Sequence, residues 1–228
     1  MLSSNIVVPF IDKTFFDISC ARKILKNYDD SLLSQMQSVN IENLILKEGL
    51  VIKAASITQD KSVHGMIICG KSDIDLWNNG KGIYEAIFCQ GKTIYIDELL
   101  LKPNMINRYR FTLAHELAHW LLHKKIVNKL AKERKLLPYL SCIERDINNE
   151  IIEKVEAACE WQANYLAGAI LMPYLPLKNY CNNKALVHCN NKDILLREIE
   201  YLSTIYIVSI KAMYVRLRQL EYIKQIDF

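Results

Sequence analysis

The sequence predicts an α+β fold in which a small, mostly antiparallel sheet is followed by helices. Three changes of pattern along the 228 residues carry that reading. Residues 18–48 place apolar side chains at helical spacing, first at Ala21, Ile24, Leu25 and Tyr28 and then at Ile41, Leu44 and Ile45. Residues 50–97 switch to short β-branched and aromatic runs (LVIKAASI, HGMIIC, YEAIFC, KTIYID). Polar, glycine-containing stretches such as KSDIDLWNNGKG divide them. Beyond Pro103 the helical spacing returns.

Each boundary has a local cause. Gly49 ends the first helical stretch as a C-cap. Pro103 opens a helix over 105–125, and residues 126–150, charged, weakly patterned and containing Pro138, predict a loop with one short helix. A second strong helix runs over 150–171 and stops before Pro173. A polar loop around NYCNNKALVHCNNKD leads to two further helices, 193–204 and 209–222. With no internal repeat and no low-complexity linker, residues 1–228 read as a single domain. Its parts are N-terminal helices over 1–49, a small sheet over 50–98, two long helices within 103–173 and a C-terminal helical region over 174–228.

Composition bounds the function. Half the residues are apolar and a quarter charged, the balance of a globular chain. No run approaches the ~18 apolar residues of a membrane span. The start, MLSSNIVVPFIDKTFFD, lacks the basic and apolar regions of a secretory signal. Seven scattered cysteines without a C-x-x-C fit reduced thiols in a cytoplasm. The net charge of +4 is too small to argue for nucleic acid. Residues 102–135 nevertheless hold nine Lys/Arg against two acids, which reads first as a solvated basic face and second as a rim for an acidic partner.

The chemistry concentrates in HELAH, residues 115–119. Histidines four apart on a helix differ by about 40° around the axis and ~6 Å along it, so His115 and His119 can reach one ion. Zinc favours such nitrogen ligands and needs a third protein ligand, with an open position for water if it is to catalyse. Glu116 stands beside them, placed to take the proton of a zinc-bound water. Random placement of five His and fourteen Glu yields this pentapeptide in roughly one chain in a hundred, so its surroundings must decide. Leu113, Leu117, Trp120 and Leu121 supply an apolar face that any buried helix would have. His123 continues the histidine stripe but lies ~12 Å from His115 along the axis, outside a shared coordination sphere. Leu122 and Lys125 stand where a metzincin needs Gly and His. The third ligand is therefore a carboxylate on the later helix, where Glu153, Glu156 and Glu160 are available. Small residues there (Ala157, Ala158, Ala163, Ala167, Gly168) allow close helix approach, and Asn164, one turn beyond Glu160, can brace a ligand.

RYRFTLAHELAHWLLH (108–123) followed by EWQANYLAGAILMP (160–173) resembles the ImmA/IrrE family of zinc metallo-endopeptidases. HGMII (64–68), TIYID (93–97) and IYIVSIKAMYVRLRQLEYI (205–223) resemble its sheet and closing segment, so the likeness covers most of 40–223. It implies a zincin-like domain of the HExxH…E (gluzincin) type, with His115, His119 and Glu160 as zinc ligands and Glu116 as general base. It also implies work in the cytoplasm on a helix-turn-helix repressor of a mobile element or stress response. Leu166 and Ile170 replace the family's usual Phe and Leu, and NNGKGIYEAIFC has no counterpart in the motif. Two other functions compete. One is a zinc-binding regulator or toxin–antitoxin partner without proteolysis, which would have no use for Glu116. The other is a DNA-binding regulator built on 194–222, where two helices flank a tight turn at Ile207-Val208-Ser209. Apolar stripes (Ile210, Met213, Tyr214, Leu217, Leu220 against Ile194, Leu195, Ile199, Leu202) oppose the latter, and leave Lys211, Arg216 and Arg218 as a sparse basic set. The segment reads as structural, without direct contact to nucleic acid.

Overall fold

The computed structural model describes residues 15–134 and 150–224. Expectations for 1–14 and for the Pro138 stretch fall outside the described residues. Contacts divide the chain into two compact units, one spanning Glu42–Asn164 and the other joining the segment up to Ile41 to the residues from Tyr165 onward.

In the second unit the predicted N-terminal helix is broken. A π-helical turn, Phe15–Ala21, runs into α1 (Arg22–Tyr28), and a 3₁₀ turn follows at Asp30–Leu33. Asp29 causes the break: its backbone is extended and its carboxylate accepts the Ser31 N–H at 3.0 Å, the local bond that lets Asp compete with helix.

The first unit opens with α2 (Ile41–Lys47). Gly49 ends it as predicted, at φ +74°, with its own N–H on Leu46 O (3.0 Å) and the Leu50 N–H on Ile45 O (3.2 Å). These two bonds make a Schellman motif, and Leu50 and Ile45 are both buried beside it. The strands are β1 (Val51–Ala55), β2 (Gly65–Ile68), β3 (Ser72–Asn78), β4 (Ile83–Cys89) and β5 (Thr93–Asp97). They form two sheets rather than one, in the orders β1-β5-β2 and β3-β4. The antiparallel expectation holds for β2·β5 and β3·β4, but β1 pairs with β5 in parallel. β3 falls in a stretch read from sequence as a polar divider. Its signal was present, because Ile74 and Leu76 are buried while Asp73 and Asp75 between them are exposed. The insertion is thus a hairpin. Ile74, Leu76 and Cys89 of the hairpin join Met66, Ile68 and Tyr95 of the three-stranded sheet in one apolar cluster, while Ile83, Tyr84, Ile87 and Phe88 of β4 remain exposed.

Asp97, wholly buried at the end of β5, accepts the Ile57 N–H at 3.1 Å and the Leu99 N–H at 2.9 Å, with Lys61 at 3.7 Å. It thereby ties the β1–β2 connection to the turn that precedes the long helix. Pro103 opens a 3₁₀ turn that leads into α3 (Ile106–Arg134), which continues well past the predicted end at 125. α4 (Glu150–Leu171) matches its predicted span and stops ahead of Pro173. It belongs to the first unit up to Asn164 and to the second from Tyr165.

The remaining helices of the second unit are α5 (Tyr174–Asn183), α6 (Lys192–Tyr206) and α7 (Ile210–Gln219). α5 occupies part of the loop predicted around NYCNNKALVHCNNKD. Asn191 caps α6 through a bond from Ile194 N–H (3.1 Å), and Ser209 caps α7 through Ala212 N–H (3.1 Å). Ile207, in the tight turn between them, is held at φ +51°, a conformation a β-branched residue rarely takes. Arg216, counted from sequence among the sparse basic set, is buried. Its Nε donates to Met172 O at 3.2 Å, and its guanidinium lies 5.6 Å from the Tyr165 ring centre.

What this fold does for α3 is set at β2. His64 O accepts the Asp97 N–H (3.0 Å), so in this antiparallel ladder His64, Met66 and Ile68 bond to β5. Gly65 and Ile67 therefore turn their backbone groups to the open edge. A side chain on Gly65 would collide with Thr112 Cγ2 and sit 3.1 Å from Glu116 Oε1. The Thr112 methyl, on a β-branched residue within a helix, has little freedom to yield. Gly65→Ala should therefore lower stability by about 1–3 kcal/mol, read as a fall in the urea midpoint with unchanged slope. An unchanged midpoint would show that α3 does not press on β2.

Candidate metal centre

His115, Glu116 and His119 lie on α3, with His115 and His119 one turn apart, and Glu160 and Asn164 lie one turn apart on α4. Leu113, Ala114, Leu117 and Ala118 are fully buried and seat this part of α3 in the core. His115 Nε2 and His119 Nε2 are 2.9 Å apart. Glu160 brings Oε2 to 3.2 Å from the first and Oε1 to 3.1 Å from the second. Among the described residues these three form a group whose ligand atoms fall within the reach of one ion. The side chains of Glu153 and Glu156, the other carboxylates open from sequence, lie outside the described residues.

The hydrogen bonds around the group test its fit to a metal. His115 Nδ1 is 3.1 Å from Asn164 Oδ1, an acceptor, so the ring donates there and keeps its Nε2 lone pair for the centre. Two imidazole nitrogens and a carboxylate then converge on one point, where either a shared proton or a metal cation relieves the repulsion of their lone pairs. Neighbouring ligand atoms of a tetrahedral zinc at ~2.0–2.1 Å stand about 3.3–3.4 Å apart, close to the spacings here. Asn164 thus braces His115, as its position one turn past Glu160 predicts. The small residues contribute less evenly than expected. Ala163 is fully buried, but Ala157 is exposed, and a methyl group on Gly168 would meet nothing closer than 3.8 Å.

Electrostatics separates the two carboxylates. Burial pushes the Glu160 carboxyl up, but hydrogen bonds from His115 and His119, with their charge, outweigh it and hold the group well below the usual carboxylate range. Burial also raises Glu116, and here it prevails over the attraction of both imidazoles. The Ile67 N–H on the open edge of β2 donates to the Glu116 carboxylate. For His115 burial acts downward, yet the bond to Glu160 and the charge of Glu116 leave its pKa raised.

A cleft of about 550 Å³ opens on the group. One wall is the edge of β2 from Val63 to Ile67, and Arg108, Phe111 and Thr112 of α3 complete it. Within it Arg108 Nη2 lies 3.3 Å from His64 Nδ1. The His64 pKa is lowered by burial and by the Arg108 charge. Sequence reasoning missed His64, Arg108 and the Ile67 N–H as parts of the site. A histidine directly ahead of a glycine in a strand was the one available signal. His123 stands outside the ligand group, as its distance along the helix predicts, with Nδ1 3.1 Å from His119 Nδ1 and Nε2 3.0 Å from Gln162 Oε1. Burial is the main cause that pulls its pKa down to about 4.

A helix bearing two histidines and a glutamate, a carboxylate from a second helix and a cleft along a strand edge define a metallopeptidase-type site. The peptidase M78 family, described as the IrrE N-terminal-like domain, matches residues 79–218. The chain belongs to that family, and the resemblance read from HELAH and EWQANYLAGAILMP is shown. None of the curated proteins matches the chain. The match begins in the turn between β3 and β4, so it takes in β4, for which the motif comparison found no counterpart. A metallopeptidase family implies a metal, and the His115, His119 and Glu160 group can hold one. Among the described residues no helix is long and apolar enough to cross a membrane.

Two outcomes are expected of metal binding. Glu160→Ala should weaken zinc binding by more than the roughly 10–100-fold that loss of a supporting residue costs, with Glu153→Ala and Glu156→Ala near the parent in the same chelator competition. Retention of zinc by Glu160→Ala would remove it from the ligand set. Protons compete with the ion at His115, whose pKa lies above the ordinary imidazole value, so affinity should be highest in alkaline solution. It should fall as the pH drops from about 8 to about 6, and a flat profile over that range would count against His115.

Proposed function

We propose that this protein is a zinc-dependent endopeptidase of the HExxH…E type that cuts a helix-turn-helix transcriptional repressor in the cytoplasm. The observation that carries the proteolytic reading is Glu116: a buried carboxylate with a raised pKa, beside the three-ligand group and lining the same cleft. A site that only bound metal would have no use for such a group, which argues against the regulatory or toxin–antitoxin alternative.

His115, His119 and Glu160 would hold the ion. When bound, zinc supplies a Lewis acid that polarises a peptide carbonyl and eases deprotonation of water. Glu116 takes the proton of the attacking water and delivers it to the leaving amide nitrogen, a transfer its raised pKa favours. The Ile67 N–H keeps the Glu116 carboxylate aimed along the cleft wall. Gly65, on the same edge, has its N–H and C=O directed away from β5 and can pair with an extended substrate backbone. A cleft open along a strand edge suits a bond within a chain rather than at its end.

The repressor as substrate rests on family membership and on the motif resemblance. The C-terminal helices support a structural role over DNA reading. Met213, Tyr214 and Leu217 are buried, and Arg216 is engaged inside the same unit. Their apolar stripe is narrower than the sequence reading had it, since Ile194 and Ile210 are exposed.

The test pairs the zinc-loaded protein with the repressors encoded beside its gene and identifies fragments by mass spectrometry. One internal cut, abolished by chelator and restored by zinc, is expected. Glu116→Gln should retain zinc and lose about 10²–10⁴ of the cleavage rate. Cleavage that survives the chelator would refute the metal-dependent reading, and a Glu116→Gln rate equal to the parent's would remove Glu116 as base.

A further inference from the structure

The bonds between His119, His123 and Gln162 decide which nitrogen of His119 faces the metal group. Gln162 Oε1 offers only lone pairs and lies 3.0 Å from His123 Nε2, so that nitrogen carries a hydrogen. His123 is 1 % exposed, and a buried imidazole is neutral unless a charged partner holds it otherwise. Its Nδ1 therefore keeps a lone pair. That lone pair faces His119 Nδ1 at 3.1 Å. Two lone pairs at this distance repel, so His119 supplies the hydrogen from Nδ1. Once a metal takes the place of the proton at the centre, the lone pair of His119 is free on Nε2, the atom 2.9 Å from His115 Nε2 and 3.1 Å from Glu160 Oε1.

We infer that His123, oriented by Gln162, is a positioning residue that sets the tautomer and ring orientation of His119 as a metal ligand. The inference rests on the ligand role proposed for His119. The opposite tautomer would aim an N–H into the group and block it. A histidine acts here where a carboxylate or backbone carbonyl commonly accepts the ligand's N–H. It adds no full charge beside the ion. The spacing explains how α3 supplies the supporting ring itself: His115, His119 and His123 stand at i, i+4 and i+8 on one stripe, so the third ring supports the second from the next turn, with Gln162 of α4 fixing its orientation.

The test begins with the zinc-loaded parent protein, in which the ion and not a proton lies between the three ligand groups. Its histidines are labelled with ¹⁵N, and two-dimensional NMR of the imidazoles reads each tautomer. His119 should be protonated on Nδ1 and His123 on Nε2; His119 protonated on Nε2 overturns the inference, whatever any variant does. His123→Leu fills the space without an acceptor and should lose the His119 preference and about 10–100-fold in zinc affinity. His123→Asn returns an acceptor oxygen near the place of Nδ1 and should restore affinity to within about 3-fold of the parent, an effect that packing alone would not produce. Parent-like affinity and tautomer in His123→Leu, or an Asn variant as weak as the Leu variant, overturns the inference while the metal reading stands. A parent protein that binds no zinc in the same titration removes both.

Discussion

Four lone-pair-bearing atoms are held close together: His115 Nε2 and His119 Nε2 are 2.9 Å apart, and Glu160 brings Oε2 to 3.2 Å from the first and Oε1 to 3.1 Å from the second. Much of the first unit serves that constraint. Two of the atoms come from one helix, where the pitch alone brings them near. The two oxygens come from a later helix, and only tertiary structure brings them beside α3. Leu113 and Leu117 of α3 and Ala163 of α4 are fully buried close to these ligands in sequence, each burial of a leucine being worth about 1.5–3 kcal/mol. Asn164 and His123 then hold the two rings at their far nitrogens, so neither is free to turn its lone pair away.

The same packing gives two glutamates of one cleft opposite characters. Glu160 lies between two imidazoles, and their hydrogen bonds overcome the cost of burial. Glu116 is more deeply buried and lacks comparable compensation, so its proton affinity rises. These environments suit the two roles proposed for them, a ligand that stays ionised and a proton carrier that accepts and releases. Gly65 belongs to this balance. Its missing side chain lets the open edge of β2 approach α3 closely enough for the Ile67 N–H to reach Glu116.

The β-structure divides its work by face. On one face of β2 and β5, Met66, Ile68 and Tyr95 pack with the hairpin in the apolar cluster. On the other, Gly65 and Ile67 stand opposite Ile96 and Ile94, next to α3. A slip of one residue in the β2·β5 register would exchange these faces and put Met66 against the metal helix. Asp97 guards that register by bonding both the connection before β2 and the turn after β5.

Much of the site was legible in the sequence, because its elements are local. The i, i+4 spacing of His115 and His119, Glu116 between them, the stop before Pro173 and the C-cap at Gly49 each depend on a few adjacent residues and on backbone geometry. Periodicity also placed His123 outside the ligand group, and the motif pairing carried Glu160. Local pattern failed where a polar residue alternates with an apolar one over a short span, as in β3, or where a capping carboxylate outbids helical spacing, as at Asp29. Tertiary structure alone decided the parallel pairing of β1 with β5, the burial of Arg216, the left-handed Ile207 and the partners of each imidazole. The physical reason is common to all of them. Periodicity records which face of an element is buried, whereas strand register, a side chain's partner and the strain a turn can bear depend on groups distant in the chain.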